Sequence, residues 1–169
     1  CCMSFLQQRK TITREAIFGL ECFCQTKPSK NKFVAVGMAG LYIHFPFCKQ
    51  ACHYCNFHFS TQIAKADSFH LLLLKELEMR YHFMDHSPLE SIYFGGGSPS
   101  LLSVSAIASI ISRAKELLKG SDSIEITVDL NPDDVSPSYL QGLVEAGVNR
   151  VSLGIQSFEE KELKLMNRI

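Results

Sequence analysis

From residue 40 onward, short apolar runs alternate with segments in which apolar residues recur every three or four positions. The short runs are typical of buried strands and the longer spacing of amphipathic helices, so the pattern predicts repeated βα units around a mainly parallel sheet. No sequence repeat of fixed period accompanies these units. The predicted strands cover residues 41–45, 90–97, 124–130 and 150–156, and the first helix covers about residues 64–84.

Cap residues mark where the later helices begin. Ser103 precedes the second helix, and Ser136 followed by Pro137 precedes the third, which is the usual pairing of an N-cap with the first helical position. Ser157 and Glu160 stand three residues apart, as in a capping box, and predict that a fourth helix starts there. Each predicted strand is therefore followed by a helix.

Four βα units are fewer than the eight, over about 250 residues, that a closed α/β barrel uses. The chain therefore looks like the first part of a larger α/β fold, cut short in or after its fourth unit. Its fourth strand would have an unpaired apolar edge, so we expect the chain, expressed as written, to aggregate or to be partly disordered.

Charge is distributed unevenly along the chain. Residues 1–37 hold six Lys or Arg against two Asp or Glu, whereas residues 38–169 hold eleven against fifteen. We interpret residues 1–37 as a leader outside the fold, either non-native or disordered, or as a basic transit peptide to the mitochondrion. Residues 38–169 are then the N-terminal part of an incomplete core domain, with Met38 as a candidate translation start. Without a transit peptide, we expect a cytoplasmic protein.

Overall composition narrows the class of protein. The 169 residues have zero net charge, and no apolar run approaches the roughly 18 residues that a membrane-spanning helix needs. We expect no integral membrane segment and no nucleic acid partner.

Of the seven cysteines, four lie in residues 1–37 and three lie within residues 48–55. This clustering favours a metal site in a reducing compartment over a disulfide scaffold.

The cysteine cluster, CKQACHYC, contains Cys48, Cys52 and Cys55. Three thiolates do not complete a four-cysteine iron–sulfur site, so a cluster bound here would leave one iron open to another ligand. A structural zinc ion with His53 or His58 as the fourth ligand fits the same spacing. The spacing alone leaves both metals open.

The other unusual residues also follow predicted strands. The run GGGSP at 95–99 follows the second strand, Asp129 and Asn131 end the third, and Gln156 ends the fourth. Because the carboxyl ends of parallel strands converge, we expect these residues to share one rim with the loop that follows the first strand and carries Cys48, Cys52 and Cys55, which we call the cysteine loop. Taken singly, the glycine run is ordinary turn material and Asp129 an ordinary cap or surface carboxylate. At a shared rim, free N–H groups of the glycine run would suit an anionic or carboxylate group of a ligand.

Four segments carry a family resemblance: LYIHFPFCKQACHYCNF, YFGGGSPS, ITVDLNPDDV and GVNRVSLGIQSF. Together, from about Met38 to Ile169, they resemble the radical S-adenosylmethionine (SAM) enzymes, in particular the family of oxygen-independent coproporphyrinogen III oxidases. The resemblance implies a partial (β/α)6 TIM-like barrel. This chain would be its N-terminal portion, truncated in or after the fourth βα unit.

The resemblance also implies a cofactor site. In such enzymes three cysteines, here Cys48, Cys52 and Cys55, hold a [4Fe–4S] cluster whose fourth iron is chelated by the amino and carboxylate groups of SAM. An electron from the cluster cleaves SAM to methionine and a 5′-deoxyadenosyl radical. The positions that match the family's SAM site are Tyr42 and Tyr54 beside cluster and SAM, Gly96, Gly97 and Ser98 at the methionyl end, and Asp129, Gln156 and Arg168 in the rest of the pocket. Ser98 and Asp129 replace the family's common Thr and Glu, keeping the hydroxyl and the charge.

Position 57 distinguishes two branches of the family. Members that oxidise coproporphyrinogen III have a fourth cysteine two positions after the third, where this chain has Phe57. The phenylalanine resembles the HemW-like branch, which binds haem and is thought to deliver it to target proteins. The resemblance therefore implies haem or porphyrin as ligand, a haem-acceptor protein, and an electron donor of flavodoxin or ferredoxin type. Porphyrinogen oxidation is the alternative activity, and a structural zinc module is a third reading.

Overall fold

The computed structural model describes residues 20–25, 38–84, 88–119 and 123–168. In this part of the chain a five-stranded sheet has its strands in sequence order: β1 (Leu20–Gln25), β2 (Met38–Phe45), β3 (Leu89–Gly96), β4 (Glu125–Leu130) and β5 (Arg150–Leu153). Strands β2 to β5 are parallel, and β1 pairs with β2 in the antiparallel direction. The predicted α/β fold with a mainly parallel sheet is confirmed.

Helices alternate with the parallel strands: α1 (Ala66–Arg80), α2 (Val104–Leu118), α3 (Pro137–Glu145) and α4 (Glu160–Leu165). Two predicted N-caps are confirmed, because Ser103 Oγ accepts a hydrogen bond from the third residue of α2, and Ser136 Oγ accepts one from the third residue of α3. Within the described residues, no helix combines the length and the hydrophobicity needed to cross a membrane.

The hydrophobic core lies between one face of the sheet and helices α1 to α3. Along β2, Leu41, Ile43 and Phe45 are buried in this core, whereas Tyr42 and His44 are half-buried and point to the opposite face. Other large buried side chains of the core are Leu73, Leu89, Ile92, Phe94, Ile107, Ile110, Ile126, Val128 and Leu143. The sheet thus buries apolar side chains on one face and carries polar ones on the other.

Residues 20–25 depart from the prediction. Excluding all of residues 1–37 from the fold is wrong for this segment, because it pairs with β2 from Leu20↔Ile43 to Gln25↔Met38. Such pairing uses backbone groups, so the charge composition of the segment gives no sign of it. The other residues of the predicted leader lie outside the described residues.

The fourth βα unit also departs from the prediction. Strand β5 ends at Leu153, and Gln156 has a φ of 69°, which is outside the range of a β-strand. The predicted capping box is wrong, because the N-cap of α4 is Glu159 and the Ser157 hydroxyl instead accepts a hydrogen bond from the N–H of Glu159. This local turn uses the serine two residues before the cap position.

Strand β5 is the outermost strand on its side of the described sheet. Its Val151 and Leu153 side chains are 49% and 46% exposed. An edge strand with exposed apolar side chains is a template for pairing with another chain. Aggregation of the chain expressed as written stays a prediction, to be checked by light scattering.

Candidate functional site

A cleft of about 610 Å³ opens where the carboxyl ends of the parallel strands meet. Ten of the eleven predicted site residues line it: Cys48, Cys52, Tyr54, Cys55, Gly96, Gly97, Ser98, Asp129, Gln156 and Arg168. Tyr42 stands behind this lining, with its ring centroid 6.0 Å from that of Tyr93. The structure therefore brings together residues from all four predicted βα units.

The cysteine loop leaves β2 and is held at its base by backbone hydrogen bonds. Ser60 N donates to Pro46 O at 2.7 Å, and Cys48 N donates to Ser60 O at 3.0 Å. The three thiols of the loop are free and half-buried. Burial raises the pKa of the Cys48 thiol, whereas the hydrogen bond from Ser98 Oγ to Cys48 Sγ, at 3.7 Å, lowers it. The neutral thiol is therefore favoured while no metal is bound.

The donor set fits a four-iron cluster with one open iron. Three thiols line one cleft, and each would bind a different iron atom, so they need not approach one another as closely as ligands of a single ion do. In the described part of the chain, no three His, Cys, Asp or Glu side chains form a group that could hold one metal ion. His53 Nδ1 donates to Leu165 O, and the ring of His58 lies 6.4 Å from that of His44. Neither histidine, each proposed as a fourth zinc ligand, lines the cleft.

The glycine run packs directly against the cysteine loop. Gly97 N donates to Phe45 O and Ser98 N donates to Phe47 O, each at 2.7 Å. The predicted role of these two N–H groups as free donors to a ligand is therefore wrong, because the loop backbone already occupies them. A Cβ atom on Gly97 would lie 2.6 Å from the carbonyl oxygen of Phe47. Because glycine has no Cβ, the backbone of Phe47, the residue before Cys48, can pack directly against Gly97.

Tyr93, absent from the predicted site, holds Asp129. Its hydroxyl donates to Asp129 Oδ1 at 2.7 Å, and both residues line the cleft. Burial, together with the hydrogen bond to Asp129 and the charge of that carboxylate, raises the pKa of Tyr93 to about 12. The strand alternation could have shown that Tyr93 shares a face with Tyr42, its partner in the sheet register, but not that it reaches Asp129.

Asp129→Asn should lower the pKa of Tyr93 towards the ordinary value for tyrosine. The substitution removes the carboxylate charge, one of the causes that raise this pKa, and leaves burial in place. The pKa of Tyr139, raised to about 12 by burial and by Asp134, provides an internal control because it should not change. Tyrosine ring carbons followed by NMR from pH 9 to the alkaline limit of folding would measure both. An unchanged pKa of Tyr93 would contradict this reading of the pair.

A polar network joins the cysteine loop to the turn after β4. Lys49 forms an ion pair with Asp134, whose side chain is almost fully buried. Ser100 Oγ donates to Asp134 Oδ2 at 2.7 Å and accepts a hydrogen bond from Asn131 N at 3.1 Å. Neither Lys49 nor Asp134 was predicted, because the pair forms between segments that are far apart in the sequence.

Arg168 places a positive charge in the cleft. Its Nη1 lies 3.2 Å from the hydroxyl of Tyr54 and 3.9 Å from Cys52 Sγ, and its Nη2 donates to Asn131 Oδ1 at 3.1 Å and to Gly154 O. The guanidinium thus touches both the cysteine loop and the ends of β4 and β5. A cation at this position suits a thiolate-bound, negatively charged group.

Residues 42–169 match a family described as the radical SAM superfamily. Over 135 residues, the chain is 40% identical to the haem chaperone HemW of Haemophilus influenzae, and the match covers 76% of this chain and 35% of that protein. It is 35% identical, over 131 residues, to the mitochondrial radical S-adenosyl methionine domain-containing protein 1 of Danio rerio, covering 77% of this chain and 30% of that protein.

Among solved structures, the chain is similar to coproporphyrinogen III oxidase (HemN) from Escherichia coli, which is described as a radical SAM enzyme. The TM-score is 0.70 at 27% sequence identity, over 78% of this chain and 31% of the other. The chain spans about a third of the length of the curated relatives it matches.

Proposed function

Because the chain belongs to the radical SAM superfamily, we propose that Cys48, Cys52 and Cys55 hold a [4Fe–4S] cluster and that SAM binds beside it in the cleft. We further propose that the whole protein is a haem chaperone, which binds haem and transfers it to an acceptor protein. The cluster, when bound, supplies the electron that cleaves SAM in this superfamily. Its electron donor would be of flavodoxin or ferredoxin type.

One observation carries the proposal: the cleft offers three thiols and, at position 57, a phenylalanine. Phe57 lines the cleft and is 63% exposed. It stands where the resemblance expects a fourth cysteine in the porphyrinogen-oxidising branch. Relatives named as haem chaperones, at 40% and 37% identity, support the same branch.

The chain's own residues would prepare the cleft for these ligands. Ser98 and Arg168 contact thiols of the cysteine loop, and Tyr54, which is part of that loop, has its hydroxyl held by Arg168. Asp129, held by Tyr93, offers a carboxylate to a positively charged or hydroxyl-bearing part of SAM. Tyr42 packs against the ring of Tyr93 and so supports the side of the cleft that carries Asp129. Gln156, with Gly96 and Gly97, completes the lining.

Oxygen-independent oxidation of coproporphyrinogen III is the second candidate, favoured by the structural similarity to the Escherichia coli enzyme of that activity. In this case SAM would be consumed as propionate side chains become vinyl groups. The relatives do not agree on one cellular location, because they include bacterial proteins and proteins named as mitochondrial. We propose the cytoplasm, or the mitochondrion if the leader is a transit peptide.

The test begins with anaerobic reconstitution using iron and sulfide, followed by electron paramagnetic resonance (EPR) of the reduced protein with and without SAM. A [4Fe–4S] signal that changes on adding SAM is expected, because SAM would occupy the open iron. Uptake of zinc in place of the cluster, or a cluster signal indifferent to SAM, would overturn the proposal.

Two further assays separate the candidate functions. Haem binding with little conversion of coproporphyrinogen III is expected for a haem chaperone, measured by haem absorbance and by chromatography of the porphyrins. Stoichiometric consumption of SAM with loss of propionate groups would instead assign the oxidase activity.

A further inference from the structure

Residues 165–168, at the end of α4, lie across the cysteine loop. Besides the contact of Arg168 Nη1 with Cys52 Sγ at 3.9 Å, five hydrogen bonds between nitrogen and oxygen atoms join this segment, which we call the 165–168 segment, to residues 50–54. The donor and acceptor pairs are His53 N to Met166 O, His53 Nδ1 to Leu165 O, Gln50 Nε2 to Asn167 Oδ1, Asn167 Nδ2 to Ala51 O, and Arg168 Nη1 to Tyr54 OH, at 2.7 to 3.2 Å. Segments more than one hundred residues apart in sequence are thus connected at the site.

Asn167 makes the two shortest of these hydrogen bonds. Both are 2.7 Å long, with its side-chain oxygen accepting from Gln50 and its side-chain nitrogen donating to Ala51 O. An amide side chain carries an acceptor oxygen and a donor nitrogen without a charge. Asn167 therefore binds both a side chain and the backbone of the cysteine loop.

The backbone of Asn167 is suited to this task. Its φ is 53°, in the left-handed region, which asparagine tolerates better than most residues other than glycine. Asn167 N donates to Lys164 O and Arg168 N donates to Leu163 O, so the turn is a hydrogen-bonded end of α4. The geometry of the helix end therefore directs the amide towards the cysteine loop.

The loop needs such support because most of it has no regular structure. Residues 51–59 lie outside helices and strands, and Ala51, His53 and Tyr54 are exposed. A loop of this kind loses conformational entropy when it is ordered, and external hydrogen bonds offset part of that cost. Three thiols that must bind one cluster require the loop to be ordered before or during binding.

We infer that Asn167 is a positioning residue that holds the cysteine loop in the conformation in which its three thiols can bind one cluster. The inference rests on the proposed function, because it concerns a cluster on these thiols. According to this inference, the fourth βα unit not only lines the cleft but also helps to retain the cluster, through Asn167.

Asn167→Gly tests the inference, because glycine keeps the left-handed backbone and removes both side-chain hydrogen bonds. Asn149→Gly is the matched control. Asn149 also makes two side-chain hydrogen bonds of 2.8 Å, with Ile126 N and Ile124 O, at the other ends of the strands. Each reconstituted protein would be challenged anaerobically with an iron chelator, while the loss of cluster absorbance and the EPR line shape are followed. Thermal unfolding of each protein without the cluster would be measured in parallel.

We expect the Asn167→Gly protein to lose its cluster about tenfold faster than the wild type, from two lost hydrogen bonds of ordinary strength. Its EPR line shape should broaden. The Asn149→Gly protein should match the wild type in both readouts, even where its unfolding temperature falls. Gln50→Ala, which removes one of the two bonds, should give an intermediate rate.

Two results would overturn the inference. One is an Asn167→Gly protein that keeps its cluster as long as the wild type does. The other is an equal acceleration in the Asn149→Gly protein, which would make the effect one of overall stability. A wild-type protein that takes up no cluster would instead refute the proposed function, so the two failures are distinguishable.

Discussion

Cys52→Ala is expected to abolish formation of the cluster. With two thiolates left, one more iron of the cluster would have no protein ligand, and we expect that the protein would not retain the cluster. Iron bound after reconstitution should therefore fall from about four atoms per chain to less than about one. The Cys52 thiol also lies 3.9 Å from Nη1 of Arg168, so the substitution removes this contact as well. Iron analysis and EPR of the reduced protein measure the effect.

Cys24→Ala is the matched control for this experiment. Cys24 lies in β1, in register with Ala39 of β2, and is not part of the cysteine loop. The control protein has the same number of cysteines as the Cys52→Ala protein and should bind iron as the wild type does. Equal iron in the two variants would show that Cys52 is not a ligand, and the proposed cluster site would fail.

Gly97→Ala should disrupt the site from the side of the glycine run. The added methyl group would lie 2.6 Å from the oxygen and 2.9 Å from both the carbonyl carbon and the nitrogen of Phe47. These are backbone atoms of the residue before Cys48, so they move only if the base of the cysteine loop moves. We expect a loss of about 1–3 kcal/mol in the free energy of unfolding, as for other overpacked sites, together with loss of the cluster.

Gly142→Ala provides the comparison for the glycine substitution. Gly142 lies in α3, where the added methyl group would meet Cγ2 of the Val104 side chain at 3.0 Å. A side chain can shift by a few tenths of an ångström, and alanine favours the helix by about 1 kcal/mol over glycine. Urea unfolding should therefore show little net change for Gly142→Ala. A Gly97→Ala protein that is as stable as the wild type and keeps its cluster would contradict the assigned role of Gly97.

The rim position of the site was predictable because it follows from a general property of parallel sheets. Four short apolar runs predicted four parallel strands, and the carboxyl ends of such strands meet at one edge. The cysteine loop, the glycine run, Asp129 and Gln156 therefore had to lie near one another, and all of them line the cleft. The cap residues Ser103 and Ser136 were predictable for a similar reason, since a cap bonds within its own first helical turn.

The contacts within the site were not predictable in this way. The glycine run was expected to offer free N–H groups, but the N–H groups of Gly97 and Ser98 bond to the backbone of residues 45 and 47. Tyr93 of β3 reaches Asp129 of the neighbouring strand β4, 36 residues away in the sequence. Both facts depend on the register between neighbouring strands and on how closely two loops approach, neither of which a periodic pattern specifies.

The sequence by itself determined the order of the βα units, the three thiols of the cysteine loop and the phenylalanine at position 57, because these are properties of residue type and short-range spacing. Only the tertiary structure decided that residues 20–25 extend the sheet, that Tyr93 holds Asp129 and that Asn167 binds the cysteine loop. Each of these is a hydrogen-bonded contact between distant segments. Its formation depends on the three-dimensional positions of donors and acceptors, and many sequences with the same hydrophobic pattern would lack it.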